Sequence, residues 1–326
     1  MKAGLVGYAQ TGKTTLFNAL TKVPDPRVGK LSAIFAPRKT IYAEVMFVDV
    51  PGPRSKGGGL DSATIQALRE VDALTLVLRG FEGLDGGKPD PVRELADFEG
   101  ELVLNDQIVV ERRLERLAKE QSRSTERVVL EKCLAVLSEG RALRRLSLAA
   151  EEEREIVSYA FLSRRPLLAV VNVPEASANE APPEALVDAA AGGIEVMSVC
   201  ASIEAEIASL PTADQVEFLQ SMGLTEPAAA RFVRKAYSLL DYISFFTVGK
   251  DEVRAWATRR GDRAPKAAGR VHSDIERGFI RAEVMKYDEF ITVGSEAKMK
   301  ELGKMRVEGK EYEVVDGDIL HFRFNV

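Results

Sequence analysis

The octapeptide Gly7-Tyr8-Ala9-Gln10-Thr11-Gly12-Lys13-Thr14 decides how the rest of this sequence is interpreted. It has the form G-x-x-x-x-G-K-[ST], in which glycines allow backbone N–H groups to surround phosphate oxygens. An apolar run precedes it at residues 3–6, and a helical pattern follows at 15–20, which is the strand–loop–helix context that the motif requires. The alternative is a glycine-rich turn that only begins a helix. The sequence therefore predicts a nucleoside triphosphate site.

Several residues of this loop are candidate ligand contacts. Lys13 is expected to reach the β- and γ-phosphates, and the Thr14 hydroxyl is expected to bind Mg²⁺. The positive end of the following helix favours the same anion. The predicted phosphate contacts are Gly7, Ala9, Gln10, Thr11, Gly12, Lys13, Thr14 and Thr15.

Short apolar runs separated by helical patterns recur along the chain. They predict strands at 2–7, 44–50, 73–78, 167–173 and 194–199. Each run is almost continuously apolar, as in strands that are buried on both faces. The alternation predicts an α/β fold with a doubly wound, mostly parallel sheet, in which binding sites lie at the carboxyl ends of strands.

The alternation is interrupted between about 92 and 165 by a long, charged and helical segment. Two apolar stripes flank the polar turn at 121–125; they consist of Val103, Val110, Leu114 and Leu117, and of Leu130, Leu134 and Leu137. Such stripes predict an antiparallel helical hairpin inserted into the α/β domain. Its first helix, predicted at 92–118, would be about 40 Å long and would project from the body.

Beyond residue 241 the pattern changes to strands with one buried and one solvated face. In the last strand Leu320, Phe322 and Phe324 alternate with His321 and Arg323. Strands are expected at 243–247, 278–284 and 319–324, forming a small mixed sheet with a short helix. The predicted domains are a nucleotide-binding domain (1–91 and 166–240), the inserted hairpin (92–165) and a C-terminal domain (241–326).

The composition limits the classes of function. The chain has 326 residues, of which 45% are hydrophobic and 29% charged, with a net charge of −5, as expected for a soluble protein of more than one domain. No apolar run is long enough to cross a bilayer, and a first strand at residue 2 or 3 leaves no room for a signal peptide. Cys133 and Cys200 form no metal or disulfide pattern. We expect a monomeric, cytoplasmic protein with no membrane partner.

A magnesium-bound triphosphate needs a second acidic group at a neighbouring strand end. Residues 49–52 provide one in the form D-x-x-G. Asp49 is predicted to act in the magnesium shell through water, and the Gly52 N–H to sense a γ-phosphate. A strand-ending turn stabilised by aspartate and Pro-Gly is the alternative.

The base site is predicted at the ends of two later strands. Asn172 and Glu175 lie in the form N-x-x-E, where GTP-binding proteins usually have N-K-x-D. Glu175 is one methylene longer than aspartate and Val173 replaces the lysine, so guanine selectivity loses its usual basis and ATP is at least as plausible as GTP. Ala201 and Ser202 take the place of the usual base-supporting loop. A capped loop is the alternative role for Asn172 and Glu175.

These elements, in this order, resemble the YchF/Obg-like ATPase family of P-loop NTPases over essentially the whole chain. The resemblance is strongest in the C-terminal segments 264–269, 276–283 and 316–326. It implies a G domain interrupted by a helical hairpin, followed by a ubiquitin-like TGS domain of the β-grasp type. It also implies an ATP preference linked to N-x-x-E, and association with ribosomes.

Three departures from the family pattern bear on hydrolysis. Switch I of the family lies between the first helix and a Pro-Asp-Pro-Arg sequence, but here Thr21 is followed almost directly by 24–27, and neither Thr21 nor Thr40 is well placed for magnesium. The loop after D-x-x-G is shortened to 53–59. The family's hydrolytic histidine has no counterpart, because both histidines of this chain, His272 and His321, lie in the predicted C-terminal domain.

The departures predict a nucleotide-binding protein with slow or vestigial hydrolysis, because a γ-phosphate-dependent switch needs a segment that orders around Mg²⁺ and phosphate. No catalytic residue can be assigned. Arg54 and Lys56 are candidates for stabilising transferred charge, but a solvated glycine-rich loop is the preferred interpretation of both. The second hypothesis is an RNA or protein adaptor whose nucleotide pocket is mainly structural.

Two segments are basic in an otherwise acidic protein. Residues 111–145 and 250–286 each contain ten Lys or Arg against six Asp or Glu. We predict that they contact ribosomal RNA through its phosphates, with Trp256 and Phe279 available for base stacking. A solvated charged face is the alternative.

Overall fold

The computed structural model describes residues 2–18, 25–52, 59–83, 86–121, 124–190 and 192–325. The chain forms two compact units. Unit 1 combines Met1–Leu20 with Met46–Phe232, and unit 2 combines Thr21–Val45 with Val233–Val326. No helix among the described residues is both long enough and apolar enough to span a membrane.

The strands are β1 (Lys2–Gly7), β2 (Lys39–Ile41), β3 (Met46–Asp49), β4 (Ala73–Arg79), β5 (Leu167–Asn172), β6 (Ile194–Val199), β7 (Tyr242–Thr247), β8 (Glu252–Arg259), β9 (Phe279–Lys286), β10 (Arg306–Glu308) and β11 (Asp318–Phe324). The helices are α1 (Lys13–Asn18), α2 (Pro26–Phe35), α3 (Ser62–Arg69), α4 (Pro91–Lys119), α5 (Thr125–Ser138), α6 (Ala150–Ile156), α7 (Glu184–Ala189), α8 (Ala201–Ser209), α9 (Thr212–Ser221), α10 (Ala228–Leu239), α11 (Ala264–Val271), α12 (Ser273–Arg277), α13 (Tyr287–Val293) and α14 (Glu296–Glu301).

Unit 1 is built on a parallel five-stranded sheet in the order β3-β1-β4-β5-β6. All five strands were predicted from the apolar runs, although the run at 44–50 forms a strand only over Met46–Asp49. Every residue of β4 and of β5 is buried. Strands covered on both faces have no need for polar residues, which explains why their sequences are continuous in apolar residues.

The insertion in unit 1 is a helical hairpin, as predicted. Helix α4 has 29 residues and α5 has 14. Asp90 and Ser124, the residues just before the two helices, cap them with side chains that accept a hydrogen bond from a backbone N–H of the first turn. The facing side chains of the two helices are buried in one cluster that includes Val110, Leu117, Val129, Cys133 and Leu137. The apolar stripes of the sequence therefore form the seam of the hairpin.

Unit 2 is built on a mixed six-stranded sheet in the order β10-β9-β11-β7-β8-β2. The predicted strands near 243–247, 278–284 and 319–324 correspond to β7, β9 and β11. Strand β8 was missed. Its buried residues Val253 and Ala255 alternate with the half-buried Glu252, Arg254 and Trp256, and the large apolar ring of Trp256 on the second face conceals the alternation in the sequence.

Residues 25–45 belong to unit 2, whereas the sequence-based division assigns 1–91 to the nucleotide-binding domain. Strand β2 pairs in parallel with β8, and the Phe35 ring stacks on Phe290 with 5.4 Å between centroids. The guanidinium of Arg27 donates to the carboxylates of Asp25 and Asp316, with N–O distances of 2.8 and 2.7 Å. These contacts fix the start of α2 to the turn before β11.

Candidate nucleotide-binding site

The loop between β1 and α1 has the geometry of an anion cradle. Gln10 and Gly12 have φ angles of 64° and 81°, so left-handed residues occur at alternate positions of the loop. Such alternation turns successive N–H groups toward a common point where an anion can bind. The loop lines a cavity of about 460 Å³. All of the predicted phosphate contacts lie on it: Gly7, Ala9, Gln10, Thr11, Gly12, Lys13, Thr14, Thr15 and Gly52.

The D-x-x-G segment lies directly against this loop. A Cβ atom at Gly52 would be 1.8 Å from the carbonyl oxygen of Gly7, and one at Gly7 would be 2.7 Å from the carbonyl oxygen of Val77. These separations are far shorter than any nonbonded contact allows. Glycine is therefore required at both positions for reasons of space, and Gly52 borders the cavity that the phosphates would fill.

Lys13 is held at the end of β3. Its Nζ atom lies 2.5 Å from Oδ1 of Asp49 and donates to the carbonyl oxygen of Val50 at 2.6 Å. A triphosphate would compete with Asp49 for this ammonium group. The Thr14 hydroxyl would bind Mg²⁺ directly and Asp49 would act on it through water, since hydroxyl, carboxylate, phosphate and water oxygens are the hard ligands that this ion takes.

A second cavity, of about 610 Å³, lies next to the first. It is lined by Gly12, Thr15, Phe81, Asn172, Val173, Pro174, Glu175, Ala176, Ala201 and Ser202. Gly12 and Thr15 line both cavities. The four residues predicted for the base, Asn172, Glu175, Ala201 and Ser202, are thus together at the carboxyl ends of β5 and β6, as the rule for parallel sheets predicts.

The Asn172 side chain links the loops that line the two cavities. Its Nδ2 donates to the carbonyl oxygen of Thr11 and its Oδ1 accepts from the N–H of Ala201, both at 2.9 Å. The side chain is buried. A Cβ atom at Gly12 would lie 2.1 Å from Asn172 Nδ2, so glycine makes room for this bridge. Asn172 therefore fixes the phosphate loop to the base loop.

Glu175 begins a short 3₁₀ turn after Pro174, and its Oε1 accepts a hydrogen bond from the Ser202 hydroxyl at 3.3 Å. The other carboxylate oxygen has no such partner in the described part of the chain. An exposed carboxylate at the rim of the base cavity can accept hydrogen bonds from the amino group of a purine.

Phe81 is a base-cavity residue that the sequence analysis missed. It follows β4, at the same edge of the sheet as Asn172. The signal that could have identified it is its position three residues beyond a predicted strand, since an apolar side chain carries no chemical signature of its own. Tyr8 lines the phosphate cavity, and burial together with the carboxylates of Asp97, Glu94 and Glu101 raises its pKa to about 12.

The remaining candidates lie elsewhere. Thr40 is in unit 2, where its hydroxyl is 2.9 Å from that of Ser32. His272 Nδ1 accepts from the N–H of Asp274, and His321 Nε2 lies 2.8 Å from the Glu296 carboxylate, so both histidines have structural partners. Thr21, Arg54 and Lys56, the segment 19–24 and the loop 53–58 are outside the described residues.

The basic segments differ from expectation in one respect. Phe279 is buried in the core of unit 2, where its ring packs against Phe322, so the expectation that it is available for stacking was wrong. Trp256 is half-buried and has the guanidinium of Arg254 over its ring, 3.9 Å from the centroid. In the hairpin, Arg113 donates two hydrogen bonds to the Glu126 carboxylate, which neutralises part of the local charge.

Together, the phosphate cradle, the acidic strand end and the base loops on a parallel sheet define a P-loop nucleotide-binding protein of the GTPase class. A family model described as "50S ribosome-binding GTPase" matches residues 2–132. A second family model, YchF-GTPase_C, described as a protein of unknown function (DUF933), matches residues 242–325.

Whole-chain relatives narrow the assignment. The protein called ribosome-binding ATPase YchF in Haemophilus influenzae is 41% identical over 360 aligned positions, which cover 100% of this chain and 99% of the relative. Its namesake in Bacillus subtilis is 37% identical, with 100% of both chains covered. The structure of the Schizosaccharomyces pombe YchF GTPase superposes with a TM-score of 0.89 at 26% identity, covering 99% of this chain and 97% of that one. The chain belongs to the YchF family.

A GTP-binding protein of Pyrococcus horikoshii has a TM-score of 0.63 at 18% identity over the full length of both chains, which is a likeness of fold. This chain differs in length from the Haemophilus relative. The 360 positions aligned with the Haemophilus relative include all 326 residues of this chain, so about 34 of them have no residue here. This chain is therefore shorter than that relative within the matched region.

Proposed function

We propose that this protein binds a nucleoside triphosphate together with Mg²⁺, accepts ATP at least as well as GTP, and hydrolyses it slowly. The observation that carries the proposal is that the two cavities are adjacent and share Gly12 and Thr15 in their linings. A preformed cradle for phosphate beside a cavity with an apolar wall and a polar rim matches the chemistry of a nucleotide.

The base preference follows from the groups that remain free to contact a base. Asn172 uses both ends of its amide within the protein. Glu175 replaces the shorter aspartate that accepts two hydrogen bonds from guanine, and Val173 offers no charge. A single free carboxylate oxygen can accept one hydrogen bond from an exocyclic amino group. It therefore matches adenine, whose Watson–Crick edge has one amino donor and no ring N–H.

Magnesium would be held by the Thr14 hydroxyl and, through water, by Asp49. When bound, the ion neutralises charge that develops on the phosphates. Slow hydrolysis is supported by the positions of the two histidines, which lie in unit 2 with their own partners. It is also supported by the shortened chain, because ordering around the γ-phosphate requires a switch segment.

Ribosome association is the second part of the proposal. The relatives at 41% and 37% identity carry the name ribosome-binding ATPase. The basic segments 111–145 and 250–286 supply positive charge for ribosomal RNA. We place the protein in the cytoplasm as a monomer, with the hairpin and the TGS-like C-terminal domain as its contact regions.

An adaptor with a mainly structural pocket is the second candidate. The specific observation in its favour is that protein groups already satisfy the pocket, with Lys13 bound to Asp49 and Val50 and with Asn172 bound across the loops. Such a protein would bind RNA or a protein partner equally well in every nucleotide state.

Equilibrium binding of ATP and GTP, with and without Mg²⁺, tests the first part. Tight, magnesium-dependent binding of ATP is the expected result, and exclusive binding of GTP would contradict the base argument. Single-turnover assays at saturating nucleotide should give slow cleavage, so rapid cleavage without a partner would reject that prediction. Co-sedimentation with ribosomes separates the two candidate functions when the protein is nucleotide-free, bound to ATP or bound to ADP. An affinity for ribosomes that is the same in all three states favours the adaptor.

A further inference from the structure

The first helix of the hairpin begins beside the base cavity. Glu94 lies in the first turn of α4 and is only 4% exposed. Its Oε2 atom accepts a hydrogen bond from the backbone N–H of Arg79, the last residue of β4, at 3.0 Å. Burying a carboxylate is costly unless its oxygens are hydrogen-bonded, so this contact ties helix and strand firmly together.

The residues that follow Arg79 form a wall of the base cavity. Gly80 donates from its N–H to the carbonyl oxygen of Asn172 at 2.8 Å, and a Cβ atom at Gly80 would lie 2.8 Å from the same oxygen. Phe81 then lines the cavity. The chain that leaves β4 is therefore fixed by the Glu94 carboxylate at Arg79 and by the backbone of β5 at Gly80.

Helix α4 also acts electrostatically on Tyr8, a residue that lines the phosphate cavity. Besides burial, three carboxylates of α4 raise the pKa of Tyr8, in the order Asp97, Glu94 and Glu101. These residues recur at helical spacing, so one face of α4 is turned toward the loop that carries Tyr8. The same helix then continues for 29 residues into the hairpin.

We propose that Glu94 is a positioning residue for the nucleotide base, which holds the backbone at Arg79 so that Phe81 can pack against the bound base. Glu94 contacts no ligand atom; it acts through Phe81. The inference rests on the proposed function. The affinity for the base then depends on α4, the first helix of the hairpin, so the insertion and the nucleotide pocket are structurally coupled.

The test compares the affinity of the full-length protein for ATP with its affinity for inorganic tripolyphosphate, which has the phosphates and no base. Glu94→Ala should weaken ATP binding about tenfold, as expected for one charge-assisted hydrogen bond, and leave tripolyphosphate within about twofold. Glu94→Gln retains an acceptor oxygen and should restore most of the ATP affinity. Asp97→Ala removes a neighbouring carboxylate of α4 and should leave the ratio of the two affinities unchanged.

A double-mutant cycle identifies the route of the effect. Phe81→Ala alone should lower ATP affinity by a similar factor, and adding Glu94→Ala should lower it little further, because both changes remove the same contact. Fully additive losses would overturn the inference. So would equal losses for ATP and tripolyphosphate in Glu94→Ala, because a role in folding alone would weaken both ligands.

The unaltered protein separates this inference from the proposal on which it rests. If it binds ATP no more tightly than tripolyphosphate, the base site itself is rejected and Glu94 with it. If it prefers ATP and Glu94→Ala keeps that preference, only the role of Glu94 is rejected. Tripolyphosphate binding also reports that each variant still has a folded phosphate loop.

Discussion

The phosphate half and the base half of the pocket are built in different ways. The octapeptide, Thr15 and Gly52 supply the phosphate half, whereas the base half combines residues from the ends of three strands, with Phe81, Asn172 and Ser202 as examples. Left-handed residues within the loop fix the geometry of the first. The register of β4, β5 and β6 fixes the geometry of the second.

This difference separates two kinds of specificity. Phosphate binding depends on the local sequence of the loop, so a substitution there should change the affinity for every triphosphate ligand by a similar factor. Choice of base is a property of the assembled sheet, so changes there should alter the ratio between ligands. Three substitutions test that separation.

Lys13→Ala should have the largest effect. Removal of the ammonium group that reaches the β- and γ-phosphates should weaken ATP, GTP and tripolyphosphate alike by at least about 100-fold. Titration calorimetry would measure all three. Lys119→Ala, at the exposed end of α4, is the matched control and should bind like the unaltered protein. A loss confined to one base would show that the two halves are not independent.

Gly52→Ala should have an intermediate effect. Its Cβ atom would lie 1.8 Å from the Gly7 carbonyl oxygen, so the backbone must move, at a cost of about 1–3 kcal/mol in the free energy of unfolding. Affinity for ATP and for tripolyphosphate should fall together, by about tenfold for a displacement costing 1.4 kcal/mol.

Gly100→Ala provides the control for this substitution. No atom lies within 4 Å of a Cβ placed at Gly100, inside α4, so alanine should raise the free energy of unfolding by about 0.5–1 kcal/mol. Urea denaturation measures both variants. Similar free energies of unfolding for the two would refute the steric account of Gly52.

Glu175→Asp should have the smallest effect. The shorter side chain loses its contact with Ser202 and restores the N-x-x-D spacing, so the ratio of GTP to ATP affinity should rise several-fold, a change of about 1 kcal/mol, with tripolyphosphate unchanged. Glu180→Asp, an exposed residue of the same loop, is the control. An unchanged ratio would mean that Glu175 does not select the base.

Much of unit 1 could be predicted because its signals are local. Strands buried on both faces show as continuous apolar runs, and the phosphate loop carries its geometry in its own glycines. Asn172, Glu175, Ala201 and Ser202 followed from their positions at or just after the ends of predicted strands. Phe81 and Glu94 did not, because their roles depend on what the fold brings beside β4.

Unit 2 was harder to predict for a different physical reason. Strand β2 has three residues, and its partner β8 lies about 200 residues further along the chain. No local pattern specifies such a pairing. The ion cluster of Asp25, Arg27 and Asp316 joins segments that are 289 residues apart, and the charges of that cluster carry no periodicity.

The assignment of residues 25–45 to unit 2 has a consequence for biosynthesis. This segment leaves the ribosome long before Arg254 and Asp316, with which Ile41 and Arg27 pair. At a translation rate of about 5–20 residues per second, it waits about 10–60 s for its partners. During that interval the buried positions of α2, Val28 and Leu31, have no native neighbours from the C-terminal segment. Pulse proteolysis of stalled nascent chains should find this segment cleavable until synthesis is almost complete. Unit 2 therefore cannot be completed until its C-terminal strands have been synthesised.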